Sequence, residues 1–285
     1  MTTLAGGANE GFPLWSPYEH ATEDAWLACA TGPRRLSPAC QDMVDDWVSA
    51  LRVAQTGGVG HAPSAALPNV FIGQGFDQGE PCMCDRQARP PGGCWANGEC
   101  YGSGPFSLNG TWNYQNAEIH PRVKHIIGER LARALLALQR AAPQPTPVLS
   151  GCRLDAGRLI LSFDAVLLNG EAVSLQPPGP GRVPLEFRVG PPTNSSTGWV
   201  FADELQLVNA TAVAATFPTG VTTPTAVRYA FGNYPCCPEL NASTFFCPPS
   251  ACPIVSAASK EPATPFWATI AGGKCYCDAP WSCDA

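Results

Sequence analysis

Among the residues able to do chemistry, His120 stands in the most informative setting, the run Ala117-Glu118-Ile119-His120-Pro121-Arg122-Val123-Lys124. An imidazole in a loop immediately before a helix is held by that helix yet free to face a cleft. A nearby carboxylate would fix its tautomer and stabilise the imidazolium, as a general base serving a serine hydroxyl requires. Glu118 is close in sequence. By spacing alone, a histidine at a helix start is more often structural than catalytic. His20, His61 and His125 form no constellation, and His125 falls on a solvated helix face.

Cysteine supplies the second chemistry. The chain has 14, with Cys82, Cys84, Cys94 and Cys100 in one cluster and Cys236, Cys237, Cys247, Cys252, Cys275, Cys277 and Cys283 in another. Cys82-x-Cys84 and Cys275-x-Cys277 could each offer two thiolates to zinc, but neither has the two-residue spacing of zinc knuckles. The even count, set among Pro and Gly, reads as disulfides formed in an oxidising compartment. No metal or cofactor site is expected, and spacing does not determine the pairing.

These residues need elements to position them. Ser37-Pro38 followed by apolar residues at helical spacing predicts a helix that ends at Gly57-Gly58. Leu67 to Ile72 is short and apolar before a Gly-Gln-Gly break, the pattern of a buried parallel strand, which puts Asp77 just past its C-terminal end, where open α/β sheets bind ligands. A Cys/Gly/Pro-rich insertion over 79–116 reads as a lid or rim. After Pro121, Val123, Ile126, Ile127, Leu131, Leu135 and Leu138 form an apolar helical stripe, with Arg122, Lys124, Glu129 and Arg130 expected to face outward. The run Ala142-Pro143-Gln144-Pro145-Thr146-Pro147 is a stiff linker. From Val148 the period becomes that of strands, at 158–167, 183–189, 198–201, 205–214 and 226–231. That predicts a β-sandwich-like domain, with the last fifty residues as coil lashed on by disulfides. The division is therefore 1–142 and 143–285.

The octet around His120 and the helical pattern after it resemble the catalytic-histidine block of the sialate O-acetylesterase family, serine esterases of the SGNH type. Further pieces occur in the family's order: Gly11-Phe12-Pro13, Leu67-Pro68-Asn69-Val70-Phe71, Phe76-Asp77, Cys84-Asp85, Val227-Arg228-Tyr229-Ala230-Phe231, Tyr234-Pro235-Cys236 and Pro265-Phe266-Trp267. The resemblance implies an α/β class: the C-terminal part of an SGNH-like α/β/α hydrolase domain followed by a disulfide-rich β domain. It also implies a reaction in which water removes O-acetyl esters from sialic acids or related sugars. His120 would be general base and acid, with Glu118, Asp77 or Asp85 orienting it. The insertion between Asp85 and His120 departs from the family and is expected to reshape specificity. Such esterases carry their nucleophile upstream in a Gly-x-Ser type turn, and this chain has none; Ser103 and Ser107 read as turn residues. Losing a triad nucleophile costs about 10⁶-fold in rate. The expectation is a truncated form, inert alone, whose parent begins with the serine-bearing strands. A secreted glycan-binding module and a purely structural cysteine-rich surface protein are the alternatives.

Composition narrows the partners. With 17 Lys+Arg against 23 Asp+Glu over 285 residues, the chain lacks the basic footprint that nucleic acid demands. Hydrophobic content of 45% excludes wholesale disorder, while 28 Gly and 30 Pro predict many loops. Four sequons, at Asn109, Asn194, Asn209 and Asn241, accord with secretion into an extracellular or lysosome-like lumen. Met1 to Glu10 does not form a signal peptide, so a leader is expected upstream. No apolar run is long enough to span a membrane. The expected partner is an O-acetylated sugar or glycan.

Overall fold

The computed structural model describes residues 55–56, 61–65, 67–78, 124–178, 182–190, 198–231, 236 and 250–276. The helix expected after Ser37, the insertion over 79–116, and Glu118 and His120 lie outside the described residues.

Helix α1, Lys124–Gln139, is rich in Leu, Ala and Arg, which lose little side-chain freedom in a helix. It stops where Ala141 turns left-handed, at φ 52°. Ala141 N–H donates to Leu138 O and Ala142 N–H to Ala137 O, the paired bonds of a Schellman end, and prolines at 143 and 145 prevent continuation. Burial does not follow the expected stripe. Leu135 and Leu136 are exposed, whereas the buried residues of α1 are Arg130 and Ala134.

Among the described residues eleven strands come after it: β1 Leu149–Asp155, β2 Arg158–Phe163, β3 Val173–Leu175, β4 Leu185–Arg188, β5 Trp199–Phe201, β6 Glu204–Asn209, β7 Ala212–Thr216, β8 Ala226–Tyr229, β9 Ile254–Ser256, β10 Phe266–Ala271 and β11 Lys274–Tyr276. Nine form an antiparallel sheet in the order β5-β4-β8-β10-β11-β1-β2-β7-β6, while β3 and β9 form a two-stranded ladder. Tight hairpins set the register. The β1–β2 turn places Ala156 and Gly157 at φ 44° and 82°, and the β10–β11 turn places Gly272 and Gly273 at 56° and 78°. Two residues with positive φ match the twist of the flanking strands.

The sheet is curled. Strands β5 and β6 are its opposite edges, yet only Ala202 and Asp203 separate them in sequence. In a flat sheet, eight spacings of about 4.8 Å would part those edges by roughly 38 Å, whereas three Cα steps of about 3.8 Å span at most roughly 11 Å. Ala202 N–H donates to Leu185 O (2.8 Å) beside one edge and Asp203 N–H to Thr216 O (3.1 Å) beside the other. Phe187 of β4 meets Phe217, just past β7, edge to face at 4.8 Å between centroids. One apolar core therefore fills the curl, joined by Val173 and Ile254 of the small ladder.

Three sequence expectations are corrected. Residues 67–72 form no strand: Val70 N–H donates to Leu67 O in a turn, and only Gly73 enters a β-bridge. Residues 205–214 are not one strand but the β6–β7 hairpin, broken where Asn209 Oδ1 accepts the Thr211 N–H at 2.8 Å. The last fifty residues are not merely coil, for β10 pairs with β8 and β11 with β1 inside the main sheet. The expected staples are present there: Cys152–Cys275 ties β1 to β11, and Cys236–Cys252 closes a second loop.

Candidate functional site

Segment 73–78 packs against α1 so closely that a Cβ on Gly73 would lie 2.8 Å from Leu131 Cγ and 2.9 Å from Leu131 N. A turn, Gln78 N–H to Gly75 O, brings Asp77 inward. There it meets Arg130, whose Nη1 and Nη2 donate to Asp77 Oδ1 and Oδ2 at 2.5 and 2.9 Å. Arg130 Nη1 also donates to Gln74 O at 2.8 Å. On its other side, Arg130 Nε lies 3.5 Å from Glu261 Oε2, and Glu261 Oε1 accepts from Arg133 Nη2 at 2.8 Å. Arg130 is 2% exposed, Asp77 4% and Glu261 0%. Two guanidiniums and two carboxylates thus bind the 73–78 segment, α1 and the approach to β10 into one network, buried except for the partly exposed Arg133.

The expectation that Arg130 faces solvent is therefore overturned. A guanidinium with two carboxylates and a carbonyl in reach is satisfied inside, whereas at the surface it would leave Asp77 buried and unpaired and Glu261 with the Arg133 guanidinium alone. Burial opposes the charge on Arg130, but Asp77 and then Glu261 more than offset it, so its pKa is raised. Burial likewise raises the Glu261 pKa, against the pull of Arg130 and Arg133.

Further bonds extend the network into the β-rich part. Ser250 N–H donates to Asp77 O at 3.0 Å, and Gln78 Nε2 donates to Ser250 Oγ at 2.9 Å. Glu261 N–H donates to Ser256 Oγ at the end of β9.

Of the sequence-derived site residues, Asp77 is described and is brought to α1, while His120 and Glu118 lie outside the described residues. Asp77 gives both oxygens to Arg130, which leaves each one further lone-pair direction. Glu261 carried no sequence signal. Arg130 did, because it falls three residues after Ile127 and four before Ala134, in the apolar register of α1.

Two other resembling pieces meet in adjacent strands, where Phe266 pairs with Tyr229 and Trp267 with Arg228. Tyr229 stacks on Phe266 in the core at 5.5 Å, and its hydroxyl accepts the Ile254 N–H. On the opposite face Arg228 forms a bidentate pair with Glu186 and lies over the rings of Trp199 (4.2 Å) and Phe231 (4.8 Å). Among the described residues no group of three or more His, Cys, Asp or Glu could hold a metal ion. No described helix is long and apolar enough to cross a membrane.

No protein-family model matches the chain, and no curated protein does. Among solved structures, a carbohydrate acetylesterase from Xanthomonas citri is similar, at 22% identity and a TM-score of 0.37, over 52% of this chain. This chain spans 28% of that protein's length.

Proposed function

We propose that the chain carries the histidine-bearing, C-terminal portion of a serine-type carbohydrate O-acetylesterase acting on sialic acids or related sugars in a secreted setting. The observation that supports this most is the buried pairing of Asp77 with Arg130. It joins two of the resembling sequence pieces, the segment ending in Phe76-Asp77 and the helix that follows His120-Pro121. That pairing clamps the helix at its second turn to the 73–78 segment.

In this reading His120 takes the proton of a serine hydroxyl and returns it to the sugar leaving group. Glu118 orients the imidazole. Asp77 acts as a positioning residue, since Arg130 already occupies both its oxygens. No Gly-x-Ser-x-Gly elbow occurs in these 285 residues, so the hydroxyl belongs to sequence outside them. The test compares release of acetate from O-acetylated sialic acid by the chain, by a longer form that includes a Gly-x-Ser turn, and by that form with His120→Ala. Turnover by the longer form alone, lost at least a thousandfold in the variant with an unchanged melting temperature, is the expected result; retained turnover removes His120 from its role.

The face bearing Trp199, Trp267 and Arg228 favours a second reading, glycan binding without turnover, because partly exposed aromatic rings beside a charged pair offer a sugar both apolar and polar contacts. Binding on a glycan array that is lost in Trp199→Ala, with no acetate released by any form, would select it.

A further inference from the structure

Asn209 ends β6 and is followed by Ala210 and Thr211, so this sequon occupies the β6–β7 turn. Asn209 and Ala210 are both exposed. Asn209 Oδ1 accepts two hydrogen bonds from Thr211, from its N–H at 2.8 Å and from its hydroxyl at 3.3 Å. An amide nitrogen is a poor nucleophile because its lone pair is delocalised into the carbonyl. Two donors on Oδ1 make the Nδ2 protons more acidic, so that loss of one frees a lone pair on Nδ2, and one of the two donors is the hydroxyl of the sequon's third residue. Among the described residues nothing accepts from Nδ2, so the atom that must react is left available.

The strand beneath needs a cover. Strand β6 is an edge of the main sheet, paired only with β7, and Leu207 and Val208 on it are 53% and 46% exposed. A register shift between Leu207 and Asn209 marks a bulge at Val208. Exposed apolar edge strands invite pairing with other chains unless charge, proline, a bulge or a covering group blunts them, and here the bulge interrupts pairing at Val208 while leaving its apolar side chain and that of Leu207 exposed. Neither Lys nor Pro occurs in β6, and its one charge, Glu204, stands at the end away from Leu207 and Val208.

We propose that Asn209 is N-glycosylated and that this glycan shields the apolar edge at Leu207 and Val208. The donor is a lipid-linked oligosaccharide diphosphate. The bond from its reducing-end C1 to the phosphate oxygen breaks, the C1–Nδ2 bond forms, and the proton released from Nδ2 is taken up as the lipid diphosphate departs. The inference rests on the secreted setting of the proposed function and goes beyond it in naming the site and its role.

The experiment directs the full chain into the lumen of a eukaryotic secreting cell with a cleavable leader ahead of Met1. Glycans are then removed enzymatically in heavy-oxygen water, which labels each former glycan site as Asp, and peptides are weighed. Label at Asn209 in the wild-type chain decides occupancy without any variant. Thr211→Ser should keep the label and Thr211→Ala should lose it. The Thr211→Ala protein should also elute earlier from gel filtration as a self-associated species, and adding Leu207→Lys should return it to the monomer position. An unlabelled Asn209 in folded, secreted protein overturns the site, and a Thr211→Ala protein that stays monomeric overturns the shielding role. Label at Asn109, Asn194 or Asn241 without Asn209 sinks this inference alone, whereas native protein that carries no glycan and fractionates with the cytosol sinks the secreted setting as well.

Discussion

Arg130 shows how one residue decides whether neighbours are sites or supports. Its guanidinium is planar and presents donors in a fixed fork, so Asp77 is met by two parallel bonds while Nε remains directed at Glu261. Replacing it with methionine would preserve volume but leave Asp77 buried without its partner and Glu261 with the Arg133 guanidinium alone. Breaking a buried ion pair from one side costs about 3 to 5 kcal/mol. Arg130→Met is therefore expected to lower unfolding free energy by that amount, read from urea midpoints at constant slope. A change under about 1 kcal/mol would mean that water already reaches the network. The period of the apolar residues in α1 contained this information, since Arg130 sits in their register. Charge alone placed it outside, and the partners that keep it inside, 53 residues away at Asp77 and in the far C-terminal part at Glu261, are not legible from a local pattern.

At the scale of elements, hairpins were partly visible in sequence and the packing of segment on helix was not. Strands at 158–163, 185–188, 199–201 and 226–229 all lie within stretches whose composition predicted them. The β6–β7 break was hidden because Val208 and Ala212 continue an apolar run through it, and the side-chain bond from Asn209 to Thr211 is what turns the chain. Segment 67–72 has the composition of a buried strand but includes Pro68, which lacks a ladder donor, and Asn69, which favours a turn. Its follower Gly73 is glycine for lack of room rather than for backbone conformation. A Cβ there would meet the Leu131 side chain and its backbone nitrogen below 3.0 Å. Backbone cannot rotate away as a side-chain tip can, so Gly73→Ala should cost about 1 to 3 kcal/mol as overpacking. Adding Leu131→Ala should recover part of that loss, measured as a coupling in a double-mutant cycle.

Across the whole molecule, closure of the sheet is the decisive event. The edges β5 and β6 meet through Ala202 and Asp203, and the Phe187–Phe217 contact spans strands far apart in the sheet order. Phe217 belongs to no strand, yet it is 8% exposed and packs where the two ends of the curl come together. Phe217→Ala should therefore cost about 3 to 5 kcal/mol, the range for large core aromatics. Thermal unfolding checks this; a loss near that of an exposed loop residue would show that the curl closes without it. The Cys152–Cys275 bond, joining residues 123 apart, restrains the unfolded chain across most of the strands of that sheet.

The amino-acid sequence by itself determined the features that local chemistry controls: a helix after Pro121, a strand-rich second half, and cysteines that pair. Tertiary structure decided those that depend on neighbours distant in the chain. It turned Arg130 inward, committed both oxygens of Asp77 to that guanidinium, drew residues 254–276 into sheet and ladder, and curled nine strands around one core. Periodicity reports only the face that a residue shares with those three or four positions away, or two in a strand. The partner on the other side of that face is set by the path of the whole chain.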